Sequence, residues 1–198
     1  MVVFGITGGS GSGKTSVSKM LEKLGVHISD TDVIAHDILE QNSDCLNELV
    51  DYFGDSILND DKTLNRKKLA SIAFSDKQKT EALSNITHKY IKAEVVKDIN
   101  TTDAELVGID GAVIIGSNVE PLCEFIVSVI ADKQSRITRI KTRDNITDEQ
   151  AIQRINAQND DEFYKENSMY IIYNNGDIAQ LESDVVGLFN KIKGNSFE

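Results

Sequence analysis

Tryptophan is absent from this 198-residue chain, proline occurs once and cysteine twice. Cys45 and Cys123 stand far apart with no C-x-x-C pattern, which excludes a disulfide framework and a thiolate metal site. A reduced, cytoplasmic setting is the expectation. Long apolar runs are also missing: none approaches the ~18 residues of a membrane-spanning helix. The first residues lack a basic region, so no signal peptide is expected. Positive charge is scarce, with 21 Lys and Arg against 32 Asp and Glu and a net charge of −11. That balance argues against a general partner for nucleic acid or anionic membranes. There is no internal repeat and no low-complexity stretch. What is present, 40% hydrophobic and 27% charged residues, suits one soluble globular unit with a sizeable core.

The most informative stretch is Gly8-Gly9-Ser10-Gly11-Ser12-Gly13-Lys14-Thr15, which fits G-x-x-x-x-G-K-[ST], the P-loop pattern. Its flanks fit as well. Val2-Val3-Phe4-Gly5-Ile6-Thr7 is a short apolar run suited to a buried strand, and Val17, Met20, Leu21 and Leu24 recur on one helical face. Glycines let successive N–H groups turn inward towards an anion, and a helix N-terminus adds partial positive charge. Gly9, Ser10, Gly11, Ser12, Gly13, Lys14, Thr15 and Ser16 are therefore the nucleotide-binding candidates. Lys14 is expected at the β- and γ-phosphates and Thr15 on Mg²⁺. The competing reading is a glycine-rich turn without a ligand.

Further along, Val26–Asp30 reads as a second strand, residues 31–40 as a helix with Val33, Ile34 and Ile38 apolar, and residues 43–100 as mostly helical. Strand signals return at 105–110, 125–131 and 170–173. Asn174-Asn175-Gly176 is a turn signal, and a closing helix carries Leu181, Val185, Leu188 and Ile192. Strands alternating with helices predict an α/β fold, a parallel sheet with helices on both faces.

The arginines are Arg66, Arg136, Arg139, Arg143 and Arg154, four of them clustered late in an acidic chain. Arg136, Arg139 and Arg143 fall at i, i+3, i+7 and share one helical face, with Ile137 and Ile140 off that stripe. Thr147-Asp148-Glu149-Gln150 fits a capping box that starts the next helix, on which Arg154 lies. Two arginine-bearing helices across a short turn suit a phosphate-clamping lid. The plainer alternative is an exposed pair with surface ion pairs to Asp144, Asp148 and Glu149.

Asp30 and Asp32 stand where the second strand ends, the edge that faces the ligand crevice in open α/β sheets. Asp32 is the favoured base and Asp30 its support; a helix N-cap is the alternative. Asp110, ending the third strand, suits a role near Mg²⁺ or a strand-end turn. His27, His36 and His88 have no metal-ligand spacing and read as structural, although His36 lies one turn past Asp32.

In this order the motifs resemble the dephospho-CoA kinases over most of the chain. Thr7 to Thr15 resembles the family's TGGxGSGK[ST]. Leu24-Gly25 and Asp30-Thr31-Asp32-Val33-Ile34-Ala35 resemble LG…DADxIA. Arg66, Leu69 and Phe74 fit R-x-x-L-x-x-x-x-F. Arg139, Arg143-Asp144, Gln150-Ala151 and Arg154-Ile155 to Gln158 are similar to the family's lid, and Asn174-Asn175-Gly176 to its NNG.

The resemblance implies one P-loop kinase domain over 1–198. Its core is expected at about 1–40, 104–132 and 168–198, with a helical substrate-binding insert at about 41–103 and a lid at about 133–167. It implies transfer of the γ-phosphate of ATP to the 3′-hydroxyl of dephospho-CoA, with Mg²⁺ as cofactor and the chain a monomer or small homo-oligomer. Asp32 would be the catalytic base. Lys14, Arg139 and Arg143 would act on the transferring phosphoryl, and Asn174 would lie near the adenine. Asp32, His36, Arg66, His88, Asp110 and Arg154 are the substrate-binding candidates, and Thr15 and Asp110 the metal candidates. Three places depart from the family pattern. His36 stands for the usual arginine, His88-Lys89 for HP, and Asp110-Gly111-Ala112-Val113-Ile114-Ile115-Gly116 for D-x-PLL-x-E. They motivate two alternatives, a kinase for another small acceptor such as a nucleoside or nucleotide, and a nucleotide-binding regulator without turnover. No N-K-x-D motif is present, which disfavours a signalling GTPase.

Overall fold

The computed structural model describes residues 1–195; residues 196–198 of the expected final core segment lie outside them. In chain order the elements are β1 (Val2–Thr7), α1 (Lys14–Lys23), β2 (His27–Asp30), α2 (Thr31–Asp37), α3 (Asp44–Phe53), α4 (Arg66–Ala73), α5 (Lys77–Thr101), β3 (Leu106–Asp110), β4 (Phe125–Ile130), α6 (Lys133–Asp144), α7 (Asp148–Asn156), α8 (Asp161–Glu166), β5 (Tyr170–Tyr173) and α9 (Ile178–Asn195). The chain divides into two compact units, 1–29 with 102 onward, and 30–101. This division places α2 in the second unit.

The first unit is built on a five-stranded sheet in the order β2-β3-β1-β4-β5. The pairings of β1 with β3 and β4, and of β4 with β5, are parallel. Parallel strands need crossovers, and α1 and α9 supply apolar faces that cover the sheet. Val17 and Leu21 of α1 and Leu181, Val185, Leu188 and Ile192 of α9 pack with Phe4, Ile6, Val127 and Val129 in one core. Each such side chain contributes about 1.5–3 kcal/mol by leaving water. Phe4 stacks on Phe125 at 5.4 Å between ring centres, and Phe125 meets Tyr170 edge-on at 5.3 Å. The strand register aligns the two loops at this edge of the sheet. Ile6 pairs with Asp110, so the acid ending β3 stands beside the loop leaving β1.

The second unit has its own core of Ile38, Cys45, Leu49, Ile57, Leu69, Ala73 and Ile86. Its helices start on polar caps. The Asp30 carboxylate accepts from the N–H groups of Asp32 (2.8 Å) and Val33 (3.1 Å), Ser43 caps α3, and Asn65 caps α4. One expectation is corrected here. The helix expected over 31–40 ends at Asp37, and Val33 is 54% exposed because α2 turns Ile34 and Ile38 towards the core instead. Residues 43–100 are mostly helical, as expected, with a break between α3 and α4. A 3-10 turn at Asp55–Ile57 and a bridge between Leu58 and Leu64 occupy the gap. The cause is local: the Asp61 carboxylate accepts from the Thr63 N–H (3.0 Å) and hydroxyl (2.6 Å), a side-chain turn that competes with helix.

Candidate active site

The loop between β1 and α1 is the centre of the site. Gly13 caps α1 at φ 96°, a left-handed conformation that favours glycine, and a Cβ there would strike the Asn174 side-chain amide. The Ser12 N–H folds back to the Gly9 carbonyl at 3.0 Å. Among the described residues, the N–H groups of Gly11, Gly13, Lys14 and Thr15 have no protein acceptor. With the positive end of α1 behind them they form a seat for an anion. The Lys14 ammonium lies on the Asp110 carboxylate, and both side chains are largely buried. Burial makes such a pair costly unless each charge is compensated. A phosphate arriving at the loop would offer Lys14 a second anion.

The loop carbonyls point the other way, to α6 and the turn after β5. Arg139 donates to the carbonyls of Gly11 (3.2 Å), Ser12 (3.3 Å) and Asn174 (2.9 Å). The buried Asn174 amide donates to the Ser12 carbonyl at 2.7 Å. Asn175 accepts the N–H of Asp132, the residue that caps α6. The Asn-Asn-Gly turn thus ties β5, the loop and α6 together through short polar side chains. The Asp132 carboxyl is held below its ordinary value by hydrogen bonds from Ser135.

One arginine lies elsewhere than its stripe suggests. Arg136, expected with Arg139 and Arg143 on a phosphate-facing surface, is 5% exposed and donates from Nε to the Ser10 carbonyl at 2.9 Å. Ile137 and Ile140 pack with Ala151 and Ile155 of α7 into a small core of their own. The capping box forms as expected: Thr147 caps the Gln150 N–H, and Gln150 accepts from the Thr147 N–H. Arg143 grips Asp144 through two bonds of 2.7 and 2.9 Å, and Arg154 reaches the same carboxylate from α7. Arg143 first, then Arg154, holds the Asp144 carboxyl down at about 2. These two arginines form the exposed ion-paired end of the helix pair.

The remaining candidates lie in the 30–101 unit. Asp32 is exposed on the first turn of α2, and its backbone N–H donates to Asp30, which takes the N-cap role left open for it. His36 is exposed beside Asp37, with Nδ1 3.2 Å from the carboxylate. Arg66 is the exposed first residue of α4, and His88 is exposed on α5. Next to His88, Lys89 donates to Glu48 at 2.6 Å, and the Tyr90 hydroxyl donates to the same carboxylate at 2.7 Å. In the sheet unit, the altered segment after Asp110 lines a cavity of about 190 Å³ through Ala112, Val113, Ile114 and Ile115, together with Thr7 and Tyr164. The structure therefore gathers the loop, Lys14, Asp110, Arg139 and Asn174 into one network, and joins Arg143 to Arg154 through Asp144. Sequence reasoning missed Arg136 and Gln158 as loop contacts. Gln158 was visible only as the last residue of the lid motif, and helical spacing does not say which face of α6 is buried.

A parallel sheet carrying this loop, with a lysine on the acid that ends the neighbouring strand, defines a P-loop kinase fold. A sequence model of the dephospho-CoA kinase family matches residues 2–180. The dephospho-CoA kinase of Lactobacillus johnsonii is 34% identical over 191 residues, covering 95% of this chain and 96% of the relative. The chain belongs to the dephospho-CoA kinase family. Among solved structures, the dephospho-CoA kinase from Campylobacter jejuni superposes with a TM-score of 0.70 at 26% identity, covering 98% of each chain. A protein from Thermus thermophilus shares the fold with a TM-score of 0.81 at 24% identity, covering 96% of this chain and 97% of its own. Among the described residues no helix is long and apolar enough to cross a membrane.

Proposed function

We propose that this chain transfers the γ-phosphoryl group of ATP to the 3′-hydroxyl of dephospho-CoA, giving coenzyme A and ADP, in the cytoplasm. The observation that carries the reading is the set of open loop amides beside Lys14, in a chain matched to the family along residues 2–180. The acceptor oxygen attacks the γ-phosphorus, the bond to the β,γ-bridging oxygen breaks, and ADP leaves with the electron pair. Asp32 takes the acceptor's proton, since a carboxylate at a helix start can accept from a hydroxyl aligned for attack. Gly9–Ser16 hold the triphosphate, and Lys14 neutralises charge that builds on the transferring group. Arg139, held on the loop carbonyls, supplies fixed positive charge to the transferring phosphoryl, and Arg143 faces phosphate oxygens when the α6–α7 pair closes, which excludes water that would otherwise hydrolyse ATP. Asn174 stands by the adenine. His36, Arg66, His88, Asp110 and Arg154 serve the acceptor.

The Thr15 hydroxyl, exposed on the first turn of α1, and the Asp110 carboxylate are hard oxygen donors. They fit Mg²⁺ and would hold it; the ion would supply neutralisation of phosphate charge. Incubation with ATP, Mg²⁺ and dephospho-CoA beside a panel of nucleosides and nucleotides tests the reading by mass detection of products. Coenzyme A as the preferred product supports it. Product on another acceptor alone, or on none, overturns it.

A further inference from the structure

The backbone of Ser10 is held on both sides, at the Gly9–Ser10 and Ser10–Gly11 peptides, by side chains from the α6–α8 region. Its carbonyl accepts from Arg136 Nε at 2.9 Å, and its N–H donates to Gln158 Oε1 at 2.7 Å. The two holders are themselves joined, Arg136 Nη2 donating to Gln158 Oε1 at 3.4 Å. A Cβ on Gly9 would strike the Arg136 guanidinium, so the loop lies directly against it. Arginine is rarely buried unless paired. Among the described residues the carboxylate paired with it, Asp161, is 3.6 Å away, with its side chain 44% exposed. Stability alone accounts poorly for a buried cation so lightly compensated. A site that must fix peptide directions towards an anion accounts for it better.

We propose that Arg136 is a positioning residue of the phosphate loop. With Gln158 it clasps the two peptides that flank Ser10, sets the direction of the next amides along the loop, and places a fixed positive charge behind the anion seat. This rests on reading the loop as the ATP site. Arg139, which holds the Gly11 and Ser12 carbonyls, extends the same clasp over the next two peptides.

The test compares the parent with Arg136→Met, Arg136→Lys, Gln158→Leu and the Arg136→Met/Gln158→Leu double variant, each in the full chain. Readouts are KM for ATP, KM for dephospho-CoA, and hydrogen exchange at the Ser10 amide. Arg136→Met is expected to raise KM for ATP roughly ten- to a hundredfold, with KM for dephospho-CoA unchanged. Arg136→Lys keeps the charge and recovers part of the loss. Gln158→Leu gives a smaller rise in the same direction and faster exchange at Ser10, and the double variant loses less than the product of the two. If Arg136→Met does not fold, Gln158→Leu decides, since it empties no buried cation site. Folded variants with parental KM for ATP, or an equal rise in both KM values, overturn the clasp. A parent that binds no ATP overturns instead the phosphate-loop reading beneath it.

Discussion

The sheet unit and the 30–101 unit treat their polar side chains in opposite ways. Around the loop, Lys14, Asp110, Arg139, Asn174 and Arg136 are bonded to one another or to loop carbonyls, and three of them, Asp110, Asn174 and Arg136, are buried. In the 30–101 unit, Asp32, His36, Arg66 and His88 lie exposed on helices whose buried faces are apolar. A network fixed by packing loses little freedom when a ligand binds, whereas exposed long side chains lose about 0.5–1.5 kcal/mol each on being ordered. On the proposed function, the nucleotide grip is built into the fold and the acceptor side is organised by the substrate it meets. Two of the three departures from the family pattern, at His36 and Lys89, fall where local bonds to Asp37 and Glu48 satisfy the side chains; the third, after Asp110, lies in the sheet unit and buries Ile114.

The contrast can be broken from either side. The largest effect is expected for Lys14→Ala, which should lower kcat about a thousandfold and weaken ATP binding as well; calorimetry with ATP and a turnover assay check both. Asp32→Asn should lower kcat about a hundredfold or more and leave ATP affinity at the parental value. Loss of ATP affinity in Asp32→Asn would erase the distinction. Arg66→Ala should raise KM for the acceptor about tenfold with KM for ATP unchanged, measured in the same steady-state assay. A smaller effect sharpens the picture of the helix pair. Asp144 is held near 2 against an ordinary 3.8. A carboxyl depressed on folding adds stability that is complete above its ordinary value and fades as pH falls towards about 2. The gap in melting temperature between the parent and Asp144→Asn should therefore be constant above about pH 5 and shrink below it.

Much of the sheet unit was legible because its signals are local. Val2–Thr7 and Phe125–Ile130 are apolar runs bounded by turn residues, and the loop motif sits between strand and helix as its chemistry demands. Thr147 and Gln150 announce their helix start by side chains that satisfy the first N–H groups. What was not legible depends on tertiary choice. The spacing of Arg136, Arg139 and Arg143 says that they share a face but not that its first member turns inward against Ser10. Periodicity in 31–40 shows a helix but not which core it joins, and Ile34 and Ile38 join the 30–101 core. The break between α3 and α4 was hidden because apolar Ile57, Leu58 and Leu64 continue the helical rhythm across a turn held by Asp61.

The most direct test of a grip complete within the sheet unit is a calorimetric titration of ATP with Mg²⁺ into the protein without any acceptor, run in parallel on Asp32→Asn. The account predicts saturable one-site binding with the same affinity in both proteins. Binding that appears only when dephospho-CoA is also present would contradict it.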